Sequence, residues 1–319
     1  MSEPVVEPAP FTGDRIVLDN GSARAHIGRV AATLCELSVG GVRLTESVPV
    51  DAITPMGCGI VLAPWPNRVR DGRWSLDGLP QQLDLTEPGL GNASHGLLRN
   101  TAYRVVEQNE HAVTLGALIP PQHGWPFMLD TRVRYALQPD GLAVTHTARN
   151  LGDRPAYWAV GAHPYFRIGE TRVEQLTLAV DRPEYLELDE RLIPIAARSV
   201  DGTPYDLRRP RPISDVDVNL AYGDTEAFIG RSDAAWLESS DGARLALWLD
   251  EEFAWIQVYT PRNFPREGGV GVAVAIEPMS AAPDALNSHR GLSTIPAGAE
   301  WEASWGVRFD PAPGPVRAP

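Results

Sequence analysis

Apolar residues come in short runs along this chain, and turn-formers cut them apart. Residues 15–18, 23–27, 32–39 and 42–44 are such runs, divided by Asp19-Asn20-Gly21 and by Gly40-Gly41. Residues 127–149 alternate apolar and polar positions, as a half-buried sheet requires. Residues 173–188 predict two more strands, and 228–237, 244–249 and 253–260 a meander turned at Asp241-Gly242 and Asp250-Glu251-Glu252. Residues 189–217 read as loop, with Pro204, Pro210 and Pro212, and Arg208-Arg209-Pro210-Arg211 reads as a solvated surface. No segment keeps a helical period over three turns, and no repeat is present. Many short strands separated by Gly, Pro, Asp and Asn predict an all-β fold, a sandwich or a barrel. We read one domain over residues 13–310, with flexible tails at 1–12 and 311–319.

Several stretches carry candidate chemistry. Tyr157 to Val160 reads as a buried strand, and His163-Pro164-Tyr165-Phe166 follows it. Proline pushes its predecessor towards extended backbone, which sets His163 at a strand end beside an aromatic wall. A histidine there can exchange protons near neutrality, whereas a plain one would only satisfy a neighbouring carbonyl. Val272 to Ile276 is a second buried run, and it ends in Glu277-Pro278-Met279. A carboxylate in that setting needs partners, and burial raises its pKa towards that of a useful base. The glycines before it, Gly268-Gly269-Val270-Gly271, lead into a strand, so the dinucleotide-loop reading fails. In the first third of the chain, Pro64-Trp65-Pro66-Asn67-Arg68 stiffens a loop that would offer the Trp65 indole, Asn67 and the Arg68 guanidinium to a polar ligand. Asp71-Gly72 predicts a hairpin turn, with Trp74 and Leu76 on the returning strand. His95-Gly96 lies in a polar loop where small neighbours allow close approach. His123-Gly124-Trp125-Pro126 reads as structural or at most a rim, and His146 as a satisfied sheet histidine.

Composition narrows the chemistry. The net charge is −13 and no basic run is long enough for nucleic acid or an anionic membrane. The chain has no lysine, which excludes Schiff-base chemistry, pyridoxal attachment and a Walker-type phosphate loop. Cys35 and Cys58 make no disulfide framework, and no residue set has metal-ligand spacing. The acidic, proline-rich start does not read as a signal peptide, and a cytoplasmic protein is the expectation. One carboxylate and one imidazole at strand ends suit a general base and a general acid on opposite sides of a substrate.

Four blocks together resemble the aldose 1-epimerase (galactose mutarotase) family: Pro66-Asn67-Arg68 with Gly72; Ser94-His95-Gly96; Gly161-Ala162-His163-Pro164-Tyr165-Phe166; and Ala275-Ile276-Glu277-Pro278-Met279 followed by Asp284-Ala285-Leu286-Asn287. The resemblance implies a large antiparallel β-sandwich with its site on an open sheet face. It also implies cofactor-free interconversion of the anomers of a free sugar, by a monomer or homodimer. By position, Glu277 would take the C1 hydroxyl proton and His163 would protonate the ring oxygen. Arg68, His95 and Asn67 would hold the sugar. The family's sugar-binding aspartate is matched best by Asn219, an amide that both accepts and donates; Asp217, two residues earlier, fits with a shift. A phosphosugar 1-epimerase and a non-catalytic sugar-binding protein are the alternatives.

Overall fold

The computed structural model describes residues 10–223, 233–266 and 268–313. Two large sheets carry the fold. In the larger, strands run in the order Arg104–Gln108, Ala112–Ile119, Leu129–Gln138, Gly141–Asn150, Glu300–Asp310, Arg244–Leu249, Asp233–Glu238, Thr177–Val180 and Arg211–Pro212, with every neighbouring pair antiparallel. In the second, the order is Pro194–Ser199, Glu184–Leu188, Asn219–Gly223, Trp255–Tyr259, Val274–Met279, Gly161–Ala162 and Val61–Leu62, and Tyr165–Phe166 also pairs with Val274–Met279. A smaller sheet, Arg15–Asp19, Ala23–Gly28, Leu34–Val39 and Val42–Arg43, stands at the N-terminal side. The only α-helix among the described residues is Ala285–Ser288.

Alternation along each strand decides which face is buried where. Tyr135, Val144, Leu247 and Trp305 of the larger sheet join Tyr222, Ile256, Val258, Val274, Ile276 and Phe166 of the second in one apolar core. Full burial of each such side chain contributes about 1.5–3 kcal/mol, so this face fixes the register. The other face of the second sheet then carries the odd-numbered set Asn219, Trp255, Gln257, Tyr259, Ala275 and Glu277, aligned by the pairs Gln257–Glu277, Tyr259–Ala275 and Asn219–Tyr259. That second face positions the site.

Several local expectations change. Residues 10–12 are not a loose tail: the Phe11 N–H donates to the Val50 carbonyl, the Val30 N–H donates to the Thr12 carbonyl, and Thr12 is buried. Residues 1–9 and 314–319 of the expected tails, and 228–232 of an expected strand, lie outside the described residues. Residues 189–217 include the strand Pro194–Ser199 at the sheet edge, where proline is tolerated. Asp71-Gly72 is a turn, but the strands beside it do not pair with each other: Arg68–Arg70 pairs with Asn92–Ser94, and Arg73–Leu76 with Leu79–Gln82 across a second Asp-Gly, Asp77-Gly78.

Candidate active site

His163 occupies the two-residue gap between Gly161–Ala162 and Tyr165–Phe166, where the chain leaves one short strand and begins another. Its ring stacks on Tyr165 at 5.2 Å between centroids, and Tyr165 packs on Phe264 at 4.7 Å. Glu277 is inside its strand rather than after it, because Val274–Met279 runs on through Pro278, which lies opposite Ile256. The two groups face each other: His163 Nε2 is 3.5 Å from Glu277 Oε1, and the residues are 6% and 2% exposed. Glu277 Oε2 is buried with no hydrogen-bond partner.

Burial acts on both groups in the direction of the neutral form. It raises Glu277 well above the usual carboxylate range, with the nearby Arg68 charge opposing. It pushes His163 down to about 4, and Arg68 pushes the same way. His95 stands edge-on to His163 at 5.5 Å and is lowered well below its ordinary value, first by burial and then by the charges of His163, Arg68 and Arg99.

The loops opposite the sheet are held by backbone geometry. Asn67 and His95 both take left-handed conformations, φ 55° and 61°, and the His95 N–H donates to the Asn67 carbonyl. Such φ values are uncommon outside glycine and cluster at functional sites. Gly96 does not open the loop to a ligand: a Cβ there would lie 2.0 Å from the Ala63 carbonyl oxygen, so the glycine brings the His95 loop onto the Ala63-Pro64 turn. Asp284 ties down the Arg68 strand, since its N–H donates to the Arg68 carbonyl and its Oδ1 accepts from the Arg70 N–H and from Asn287 Nδ2.

Arg68 reaches the site with its guanidinium held in a fork by Glu87, at 2.7 and 2.8 Å. Asn67 Nδ2 donates to Gln257 Oε1 at 3.2 Å, and Gln257 Nε2 donates to Asn219 Oδ1 at 2.8 Å. The structure thus groups Glu277, His163, His95, Asn67, Arg68 and Asn219. Asp217 is exposed, precedes the Asn219–Gly223 strand, and its charge reaches Tyr259. Trp65 does not join them. Its indole is buried in the core against Trp125, at 5.6 Å between centroids, where so large an apolar ring gains most by leaving water. Trp125 is likewise core, His123 is exposed on the surface, and His146 accepts from Trp305 Nε1 inside the larger sheet. No cluster of three or more metal-ligating side chains occurs among the described residues.

Glu87 and Gln257 escaped the sequence reading. Gln257 had a visible signal, a lone amide within the apolar run Trp255-Ile256-Gln257-Val258-Tyr259. Glu87, in a polar loop nineteen residues from Arg68, had none.

The geometry can be set beside known proteins. A family model for aldose 1-epimerase matches residues 14–308. The uncharacterized protein YihR of Escherichia coli (strain K12) is 30% identical over 290 residues, which covers 90% of this chain and 90% of that protein. The GalM/aldose epimerase homologue from C. elegans superposes with a TM-score of 0.82 at 19% identity, covering 94% of this chain and 99% of that one. Galactose 1-epimerase from Lactobacillus acidophilus NCFM superposes with a TM-score of 0.78 at 20% identity, covering 94% of this chain and 95% of that one. These superpositions fix the fold as a mutarotase-type β-sandwich. With one family model spanning nearly the whole length, the chain belongs to the aldose 1-epimerase family.

Proposed function

We propose that the protein interconverts the α and β anomers of a free aldohexose by acid–base ring opening and closure, without a cofactor. The observation that carries this reading is the buried, facing pair Glu277 and His163, 3.5 Å apart. In the opening step the Glu277 carboxylate takes the proton of the C1 hydroxyl. The C1 oxygen becomes the aldehyde oxygen, the bond from C1 to the ring oxygen breaks, and imidazolium His163 gives its proton to that oxygen. Rotation about C1–C2 turns the other aldehyde face to the chain. Closure reverses both transfers, with protonated Glu277 as acid and neutral His163 as base.

The two protonation patterns hold the same single proton. Burial favours the neutral pattern in the free protein. A small side-chain rotation would bring the two atoms from 3.5 Å into hydrogen-bond range, where the proton can cross to give the charged pattern. Arg68, His95 and Asn67 hold the sugar's ring oxygen and hydroxyls in this scheme. A phosphosugar fits less well, because the Arg68 charge is already matched by the Glu87 carboxylate in a two-point pair. A merely sugar-binding role gives no reason to bury a carboxylate against an imidazole, which is costly without a task.

Anomer equilibration of a hexose panel, followed by polarimetry or NMR, is the test. Acceleration of at least one freshly dissolved hexose is expected. No acceleration for any of them would overturn the assignment.

A further inference from the structure

Asn67, Gln257 and Asn219 form a row beside Glu277, and one backbone donor sets the direction of all three amides. The Arg68 N–H can only donate, and Asn67 Oδ1 accepts it at 2.9 Å. Asn67 must therefore turn Nδ2 to Gln257, whose Oε1 accepts at 3.2 Å. That leaves Gln257 to offer Nε2, which Asn219 Oδ1 accepts at 2.8 Å. Turning any one amide around would set like atoms against each other, at about 1–3 kcal/mol for each buried group left unmet. Asn67 and Gln257 are 4% and 3% exposed, so the penalty applies to both.

The end of the row is Asn219. Its oxygen is turned to Gln257, and its Nδ2, on the other side of the amide, has two N–H donors with no partner among the described residues. The side chain is half-buried and sits on the same sheet face as Glu277, two strands away. With strands about 4.8 Å apart and a two-residue offset along them, that separation is about 12 Å, enough for a sugar ring with a contact at each side.

We propose that Asn219 is a specificity-determining residue that recognises one sugar substituent as a hydrogen-bond acceptor, by its lone pairs, and not by its hydroxyl proton. This rests on the proposed sugar site. An aspartate at the same place would keep one oxygen on Gln257 Nε2 and present the other outward, and so would select a hydroxyl proton instead. The polarity is set three residues away, at a backbone N–H, and the sequence reading of Asn219 as both donor and acceptor is corrected accordingly.

The test is a panel of hexose analogues in which each ring hydroxyl in turn is replaced by fluorine, methoxy or hydrogen. Binding is read by calorimetry or ligand NMR, and interconversion is read separately. Fluorine and methoxy accept but cannot donate; hydrogen does neither. At one ring position, fluorine and methoxy should hold affinity within about threefold while hydrogen loses up to about tenfold, the range of a net hydrogen bond. Asn219→Asp should reverse this, with fluorine and methoxy falling to the level of hydrogen and the parent sugar binding tighter. If the unmodified protein treats all three replacements alike at every position, the proposal is overturned with no variant needed. An unchanged ranking in Asn219→Asp overturns it too. Sugars that bind without interconversion would remove the assigned reaction and leave this ranking decisive. No binding by any sugar removes both.

Discussion

The two sheets each bury a histidine, and the two histidines differ in everything but burial. His146 lies within the ten-residue strand Gly141–Asn150, paired on both sides, and its ring nitrogen accepts from Trp305 Nε1 at 3.1 Å. His163 lies between two strands of two residues each, and faces a carboxylate. Burial pushes His146 down to about 3 and His163 to about 4. A depressed pKa therefore does not distinguish a site from a core. The distinction is the partner: a neutral N–H donor that completes one histidine, and a buried carboxylate opposite the other. Long regular strands leave no room for the latter, and the broken strands of the second sheet supply it.

The largest test of this contrast is catalytic. Glu277→Gln and His163→Asn should each lower kcat by about 10²–10⁴, the typical contribution of a positioned acid or base, with sugar binding retained by calorimetry. His146→Leu should leave kcat near normal and lower the melting temperature, since it strands the Trp305 N–H at about 1–3 kcal/mol. Near-normal turnover in either site variant, or lost turnover in folded His146→Leu, would break the comparison.

Next is the pH profile of kcat/KM. From the residue types alone, Glu277 would set the acid limb and His163 the alkaline one. The burial shifts exchange them. Rate falls in acid as a second proton adds to the pair at His163, at about pH 4. It falls in alkali as Glu277, held well above its ordinary value, loses the single proton. A broad plateau through neutrality is expected, bounded by the pair's apparent values. An acid limb near pH 6.5 would show that His163 titrates as if exposed.

A smaller effect is on stability. The unfolded chain releases the Glu277 proton near pH 4.5, while the folded chain keeps it to much higher pH. Between those values stability falls as pH rises, because the unfolded state binds fewer protons. Glu277→Gln lacks this penalty. It should melt higher than the parent at pH 8 and show no such advantage below pH 4. Scanning calorimetry at both pH values decides it.

Smaller still are the changes around the site. Glu87→Gln loosens the fork on Arg68 and should raise KM by about 3- to 10-fold, since a charge-assisted pair becomes a neutral one, with kcat little changed. Asp217→Asn, on an exposed residue, should shift KM less than twofold, within the range of about 0.5 kcal/mol for surface substitutions. A sharp rise in KM for Asp217→Asn would move the sugar contact from Asn219 to Asp217.

Much of the fold was legible because strand alternation and turn residues are local signals. The all-β class and the satisfied His146 follow from patterns a few residues long, whereas the strand read over residues 157–160 ends at Trp158 and two shorter ones flank His163. The facing positions of Glu277 and His163 were expected from the same kind of signal, each being an ionisable group ahead of proline on a buried run. What escaped depends on distant pairing. Trp65 could face either way until Trp125, sixty residues on, supplied the pocket that buries it. The partner of Arg68–Arg70 is Asn92–Ser94, beyond the nearest turn, so local turn chemistry suggested the wrong hairpin. Gln257 stands out as a lone amide in an apolar run, but only register sets it opposite Glu277 and between Asn67 and Asn219.

Under the proposed reaction, the separation of 3.5 Å between buried Glu277 and His163 also decides where the solvent stands. A pair that begins and ends each cycle with one proton needs none from outside. In the proposed reaction the C1 hydroxyl proton goes to one member of the pair and the other member's proton goes to the ring oxygen, so buffer has no step to assist. Turnover should be independent of buffer concentration at fixed pH and ionic strength, and water enters the cycle only when it exchanges with sugar at the mouth of the site.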